Sequence, residues 1–215
     1  DPTPLAAVSF ASSVFFIVFI TSMGLTFGLT PLVGEHYAKG NHGYLRRLLS
    51  NGFILFTFIG LVATALLYAA RRLFPVMGAL MIGDGSDASI GEVINLALPY
   101  FDTLIWSVLP VMIWGTAKQF LEGVGNTRIA MVTIILSNSL NILLNWIFIF
   151  GKCGLEPMGA VGAGYATLVS RICQCFMLVG YFLLTPRFKE YTSRLFERTK
   201  LSLRTMGSIM KVGIP

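Results

Sequence analysis

Charge is scarce in this chain. Asp, Glu, Lys and Arg make up 12% of its 215 residues, against roughly 25% in an average soluble domain, while 55% are hydrophobic. That balance, with a mean hydropathy of +0.75, excludes an ordinary water-soluble domain and points to an integral membrane protein. Histidine and cysteine are also few, at 2 and 3. His36 and His42 sit in one charged segment, far along the chain from Cys153, Cys173 and Cys175, so no metal set is expected. Cys173 and Cys175 fall inside an apolar run and read as small core residues. No hydrolase triad, phosphate-binding Gly loop, H-E-x-x-H or C-x-x-C pattern occurs. Nothing therefore supports an enzyme, an ATP-driven mechanism or a resident cofactor. A signal-peptide layout and low-complexity tracts are absent as well.

Long apolar runs are what the chain has in abundance. A membrane-spanning helix takes about 20 mostly apolar residues, and the intervals between charges supply five such stretches: Pro2–Gly34, Leu48–Ala70, Val93–Ala117 (containing Asp102), Ile129–Gly151 and Pro157–Pro186 (containing Arg171). A sixth opens near Gly207 and stops at Pro215. With a start at Asp1 rather than Met, both ends read as cuts in a longer protein.

Lys39, Arg46 and Arg47 follow the first run, Lys118 and Arg128 lie between the third and fourth, and Arg187, Lys189, Arg194, Arg198, Lys200, Arg204 and Lys211 follow the fifth. The alternate loops carry Arg71, Arg72 and Lys152 beside Asp84, Asp87, Glu92 and Glu156. The positive-inside rule places the first group in the cytoplasm and Asp1 outside. The net charge of +6 is thus topological, and its scatter over alternate loops makes no nucleic-acid footprint.

Within the runs, Gly24 and Gly28 have the G-x-x-x-G spacing that lets helix backbones approach closely. Pro31 and Gly34 loosen the end of the first run. Pro110, well inside the third, predicts a kink that is either a packing irregularity or a moving hinge. The fifth run opens Gly159-Ala-Val-Gly162-Ala-Gly164, which implies close contact with another helix. From Pro186 to about Met206 the chain is basic, with Phe188, Tyr191, Leu195 and Phe196 interleaved, and reads as a connecting helix lying partly on the membrane surface.

Polar residues inside these runs are the candidates for function. Asn138, Asn141 and Asn145 recur at i, i+3 and i+7 in an uncharged stretch, within about 60° of one helical face. Such amides either bridge helices or offer oxygens to a hard cation. Arg171 stands about 18 Å from the end of its run at 1.5 Å per residue, too deep for easy snorkelling. A central Arg costs about 2.5–3.5 kcal/mol on insertion scales, so it must face protein or water. It either ties helices together or meets substrate or ion. Thr167, Ser170, Arg171 and Gln174 form a second polar stripe. Asp102 reads as an interfacial, solvated carboxylate. Trp106, Trp114 and Trp146 read as interfacial anchors.

These segments, taken in order, resemble the multidrug and toxic compound extrusion (MATE) family. Gly28-Leu-Thr-Pro31-Leu-Val-Gly34-Glu-His-Tyr-Ala-Lys-Gly40-Asn41 looks like the inner end of its helix two, and Arg46-Arg47-Leu-Leu-Ser-Asn-Gly52 like the start of helix three. Phe120-Leu-Glu-Gly-Val-Gly125-Asn126-Thr127-Arg128 is similar to the loop between helices four and five. Asn141-Ile-Leu-Leu-Asn145-Trp and Gly162-Ala-Gly-Tyr-Ala-Thr-Leu-Val-Ser-Arg171 resemble helices five and six.

The resemblance implies an all-α membrane protein of two six-helix lobes. Residues 1–185 would be a partial amino-terminal lobe with helices two to six, 186–206 a cytoplasmic amphipathic connector, and 207–215 the start of the next helix. It implies secondary active efflux of drugs and organic cations by Na+ or H+ antiport, in the inner (plasma) membrane. The partners would be the lipid bilayer and the remaining half of the same chain. The family's amino-lobe cation site uses an acid on helix one and positions matching Asn141, Asn145 and Thr167, beside which Arg171 would orient the network. Gly24, Gly28, Pro31 and Pro110 would serve bending and packing.

Two departures matter. The helix-one acid is not among these residues, and position 145 is Asn where one branch has Asp. An amide cannot take up or release a proton near neutral pH, so position 145 carries none, and the chain looks closer to the NorM-type branch, often sodium-coupled. The alternatives are a lipid-linked oligosaccharide flippase of the same superfamily, a non-transporting membrane anchor, or an intramembrane transferase.

Overall fold

The computed structural model describes residues 3–76, 87–192 and 202–213. Asp1, Asp84, Arg194, Leu195, Phe196, Arg198 and Lys200 lie outside them. The apolar runs become helices: α1 (Thr3–Thr26), α2 (Leu29–Ala38), α3 (His42–Arg72), α4 (Asp87–Trp106), α5 (Val108–Gly123), α6 (Thr127–Phe150) and α7 (Gly159–Leu184). A 3-10 turn at Pro186–Phe188, the short α8 (Lys189–Thr192) and α9 (Leu203–Gly213) follow, and no strand occurs among the described residues. Five helical stretches are long and apolar enough to cross a membrane: Leu5–Ala38, His42–Arg72, Gly91–Gly123, Thr127–Phe150 and Gly159–Leu184. They overlie the five apolar runs, and the architecture is the expected all-α, multi-pass one.

Two of these stretches are broken, each by a proline. Pro31 lies in the first turn of α2 and Pro110 in the first turn of α5. A proline has no N–H for the carbonyl four residues back, and its ring collides with that carbonyl. Those carbonyls belong to Phe27 and Trp106, where the helices part: α1 stops at Thr26 and α4 at Trp106. The kink expected at Pro110 is thus a break at Ser107, whose N–H turns back to the Leu104 carbonyl at 3.0 Å. Pro99 lies inside α4 without ending it.

The core forms two apolar clusters stacked along the bundle. One joins α1, α4 and the far part of α3 through Phe10, Phe15, Leu67, Phe101 and Ile105. The other, toward the basic end, joins α2, α3, α5 and α7 through Leu29, Leu49, Phe56, Phe120 and Phe182. Phe19 and Met23 pack against both, so the clusters meet near the middle of α1. Two aromatic residues of the connector, Phe188 and Tyr191, turn into the basic-end cluster and are buried there.

Three local readings change. Asp102 is not free-standing, because the Arg71 guanidinium grips it through Nε–Oδ1 at 2.6 Å and Nη2–Oδ2 at 3.1 Å. The two parallel bonds are the short, charge-assisted, bidentate kind that an arginine fork makes with a carboxylate. Trp114 is buried within α5 instead of sitting at an interface, while Trp106 and Trp146 are exposed. The close approach read at Gly24 belongs to Gly28. A Cβ at Gly24 would meet nothing within 4 Å, whereas one at Gly28 would overlap the Ile209 carbonyl and the Gly213 backbone of α9.

Candidate functional site

α6 and α7 run antiparallel, and small residues fix their register. A Cβ on Gly162 would lie 2.8 Å from the Phe148 carbonyl, so only glycine lets α7 come that close to α6. Gly151 closes α6 in the left-handed conformation (φ +64) and makes the return possible. At the other end, the Ser137 hydroxyl donates to the Ser170 carbonyl at 3.0 Å and lies 3.5 Å from Gln174 Oε1. Between these two contacts, Thr167 stands at the depth of the Asn141 turn. On its opposite side α7 presses against α4, where a Cβ at Gly164 would overlap Thr103.

The asparagines divide. Asn138 is exposed; Asn141 and Asn145 are half-buried. Asn145 Nδ2 donates to Asn141 Oδ1 at 3.0 Å, one helical turn away. That leaves Asn145 Oδ1 buried with no hydrogen-bond partner among the described residues. An orphaned carbonyl oxygen inside an apolar helix is costly, and it is also the ligand type a hard cation takes. The Thr167 hydroxyl turns back to the Ala163 carbonyl at 2.9 Å and is not bonded to either asparagine. Its oxygen keeps its lone pairs while its proton is occupied.

Arg171 sits at the seam between the two core clusters. Its Nη1 donates to Ser107 Oγ at 2.6 Å, the hydroxyl at the break set by Pro110, and Ser107 in turn donates to the Leu104 carbonyl at 2.6 Å. The guanidinium carbon lies 4.9 Å from the Phe19 ring centroid and 5.5 Å from that of Phe15. The arrangement brings Arg171, Ser107 and two aromatic faces together, and sets Asn141, Asn145 and Thr167 on the adjoining pair of helices. No group of three or more His, Cys, Asp or Glu that could hold a metal occurs among the described residues.

The MatE family model matches residues 1–147. The chain belongs to the MatE family. It is 29% identical over 213 residues to the probable multidrug resistance protein NorM of Halalkalibacterium halodurans, covering 98% of this chain and 44% of that one. It superposes with a TM-score of 0.82 on the inward-facing conformation of a multidrug resistance MATE family transporter of the MOP superfamily, at 27% identity over 99% of this chain and 45% of that one. The outward-facing conformation of such a transporter gives the same TM-score, 0.82, at 25% identity over 100% of this chain and 44% of that one. The chain therefore spans less than half the length of the relatives it matches, and the part it spans has one shape that fits both conformations equally.

Ser107, Phe15, Phe19 and Ser137 were not singled out from the sequence. Ser107 carried a signal, since it follows the carbonyl that Pro110 leaves free. The two phenylalanines are indistinguishable from other aromatics of an apolar helix until Arg171 is placed against them.

Proposed function

We propose that this MatE chain is part of a secondary active multidrug efflux transporter that exports organic cations and other drugs by alternating access, driven by Na+ or H+ antiport. In this reading residues 1–185 form a partial amino-terminal lobe, 186–206 a cytoplasmic connector and 207–215 the start of the next helix. The protein lies in the inner (plasma) membrane, with the amino-terminal end of α1 outside and Arg187–Lys211 in the cytoplasm. It works with the other half of its chain and the surrounding bilayer.

The observation that carries the reading is the unpartnered, buried Oδ1 of Asn145 beside its bond to Asn141. It is an oxygen acceptor within the uncharged stretch of α6, the helix that packs against the one carrying Thr167. These three residues would contribute to the ion or substrate side, with Arg171 orienting the wall they belong to. Asn145 can ligate but cannot carry a proton. Gly28, Pro31 and Pro110 would supply close packing and bending; Gly24, with open space at its Cβ position, would serve movement rather than contact. The flippase alternative is not favoured, because it calls for several cavity cations and Arg171 stands alone inside the apolar stretches of α6 and α7.

The test is transport by the full-length protein in proteoliposomes loaded with ethidium. An imposed Na+ gradient, or a pH gradient, should drive dye movement against its own gradient. Dye movement indifferent to both gradients would refute antiport.

A further inference from the structure

The connector after α7 is basic, with Arg187, Lys189, Arg194, Arg198, Lys200 and Arg204 set against Glu190 and Glu197. Such an excess of positive charge draws anions to that end of the molecule. The start of the connector also closes a cup. Phe188 and Tyr191 turn inward and are buried, which sets Arg187 beside Tyr37 of α2 and His42 of α3. The cavity between them measures about 170 Å3, with Val124 from the turn after α5 in its wall. Pockets for drug-sized molecules run to about 300–1,000 Å3, so this one is too small for the transported compound. It shares no residue with the site of Asn141, Asn145 and Thr167.

The cup is lined by donors that lack an acceptor. The Arg187 guanidinium and the Tyr37 hydroxyl have no hydrogen-bond or ion-pair partner among the described residues. Tyr191 Oη lies 2.8 Å from His42 Nδ1, which leaves the other ring nitrogen of His42 unengaged. No carboxylate lines the cavity. Glu190 reaches His42 Nδ1 only at 3.9 Å, its side chain is 63% exposed, and it forms no ion pair with Arg187. An arginine fork matches phosphate oxygens in geometry, and hydrogen bonds to an anion are about twice as strong as neutral ones. A phosphate offers three acceptor oxygens in different directions, enough to meet Arg187, Tyr37 and His42 together. The two oxygens of a carboxylate lie in one plane and would leave a donor unmet.

We propose that this cup binds a phosphate group, and that the bound phosphate fastens the connector, through Arg187, to α2 and α3, through Tyr37 and His42. The group is the headgroup of an anionic phospholipid or a free phosphate. In the orientation proposed above, the cup opens at the cytoplasmic side beside the inner leaflet, where both are present and basic segments collect anionic lipid.

Binding is read as thermal stabilisation of the full-length protein. It requires no transport, so it stands or falls separately from the efflux reading. In detergent, inorganic phosphate is titrated against chloride at equal ionic strength. In nanodiscs, phosphatidylcholine alone is compared with phosphatidylcholine plus phosphatidylglycerol. A saturable rise in Tm with inorganic phosphate assigns the free ion, and a rise confined to the phosphatidylglycerol discs assigns the lipid headgroup. Arg187 is exposed, so Arg187→Gln should match the wild-type Tm in chloride. Its half-saturating phosphate concentration should be about tenfold higher or more, the scale of a lost charged hydrogen bond, and the lipid-dependent rise should disappear. Tyr37→Phe, which removes one hydroxyl, should weaken phosphate binding a few-fold. No rise with either probe in the wild type overturns the proposal. A rise of the same size and midpoint in both variants also overturns it, and marks the effect as general charge screening.

Discussion

Replacing Gly164 with alanine adds one methyl group at the contact that seats α7 on α4. A Cβ built there overlaps Thr103 Oγ1 and lies 3.1 Å from both Thr103 Cβ and Tyr100 Cδ2. Carbon contacts settle near 3.5–4.0 Å, so the two helices must part locally by about 0.5–1 Å. Thr103 cannot simply turn away: it is buried, and its hydroxyl donates to the Tyr100 carbonyl at 2.6 Å. Overpacking of this kind costs about 1–3 kcal/mol, and the backbone-on-side-chain geometry places Gly164→Ala near 2 kcal/mol on that scale. Thr103→Ala removes the overlapping oxygen, so the double variant should recover about 1 kcal/mol or more as a coupling energy. The assay is thermal unfolding of the full-length protein in detergent, with all four members of the cycle measured together. Losses that simply add, or a Gly164→Ala protein as stable as wild type, would refute the close contact. The site shares in the outcome, because α7 carries both Thr167 and Arg171.

Two further expectations follow from groups away from that contact. Arg71→Ala breaks the pair with Asp102, but both side chains are more than a third exposed (39% and 35%), so the loss should be no more than about 1 kcal/mol and should shrink in high salt; a larger, salt-independent loss in a melting series would contradict this. At the basic end, burial pushes the Tyr191 phenol above its usual value, with Glu190 adding to the effect. The folded protein then holds the phenolic proton more tightly than the unfolded chain. This stabilisation is fully present below the ordinary tyrosine range and is lost as pH rises above about 10. Tyr191→Phe should flatten that part of a stability–pH curve, and an unchanged alkaline slope would show that Tyr191 is not the group responsible.

Much of this fold is legible because a membrane span is defined by a lack of charge over a length, which a single sequence displays directly. The two proline breaks are legible for a similar reason, since the effect falls on a carbonyl at a fixed distance back along the chain. What is not legible is partnership. The G-x-x-x-G spacing at Gly24 and Gly28 announces closeness without naming its recipient, and only Gly28 meets one. Asp102 is 31 residues from Arg71, and no local rule connects them. The asparagine stripe shows the same limit. Its period places three amides on one face, but whether each is exposed or buried depends on how α7 lies against α6, which Gly162 and Ser137 decide.

The central claim is that Asn141 and Asn145 form a working part of an ion or substrate site rather than a bridge between helices. Its most direct test is gradient-driven ethidium efflux by the full-length protein carrying Asn141→Ala or Asn145→Ala, with membrane insertion quantified in parallel. The account predicts normal insertion, with the cation concentration for half-maximal efflux raised about tenfold or more, the scale seen when a ligand or its support is lost. Normal insertion with wild-type efflux and cation dependence in both variants would contradict it.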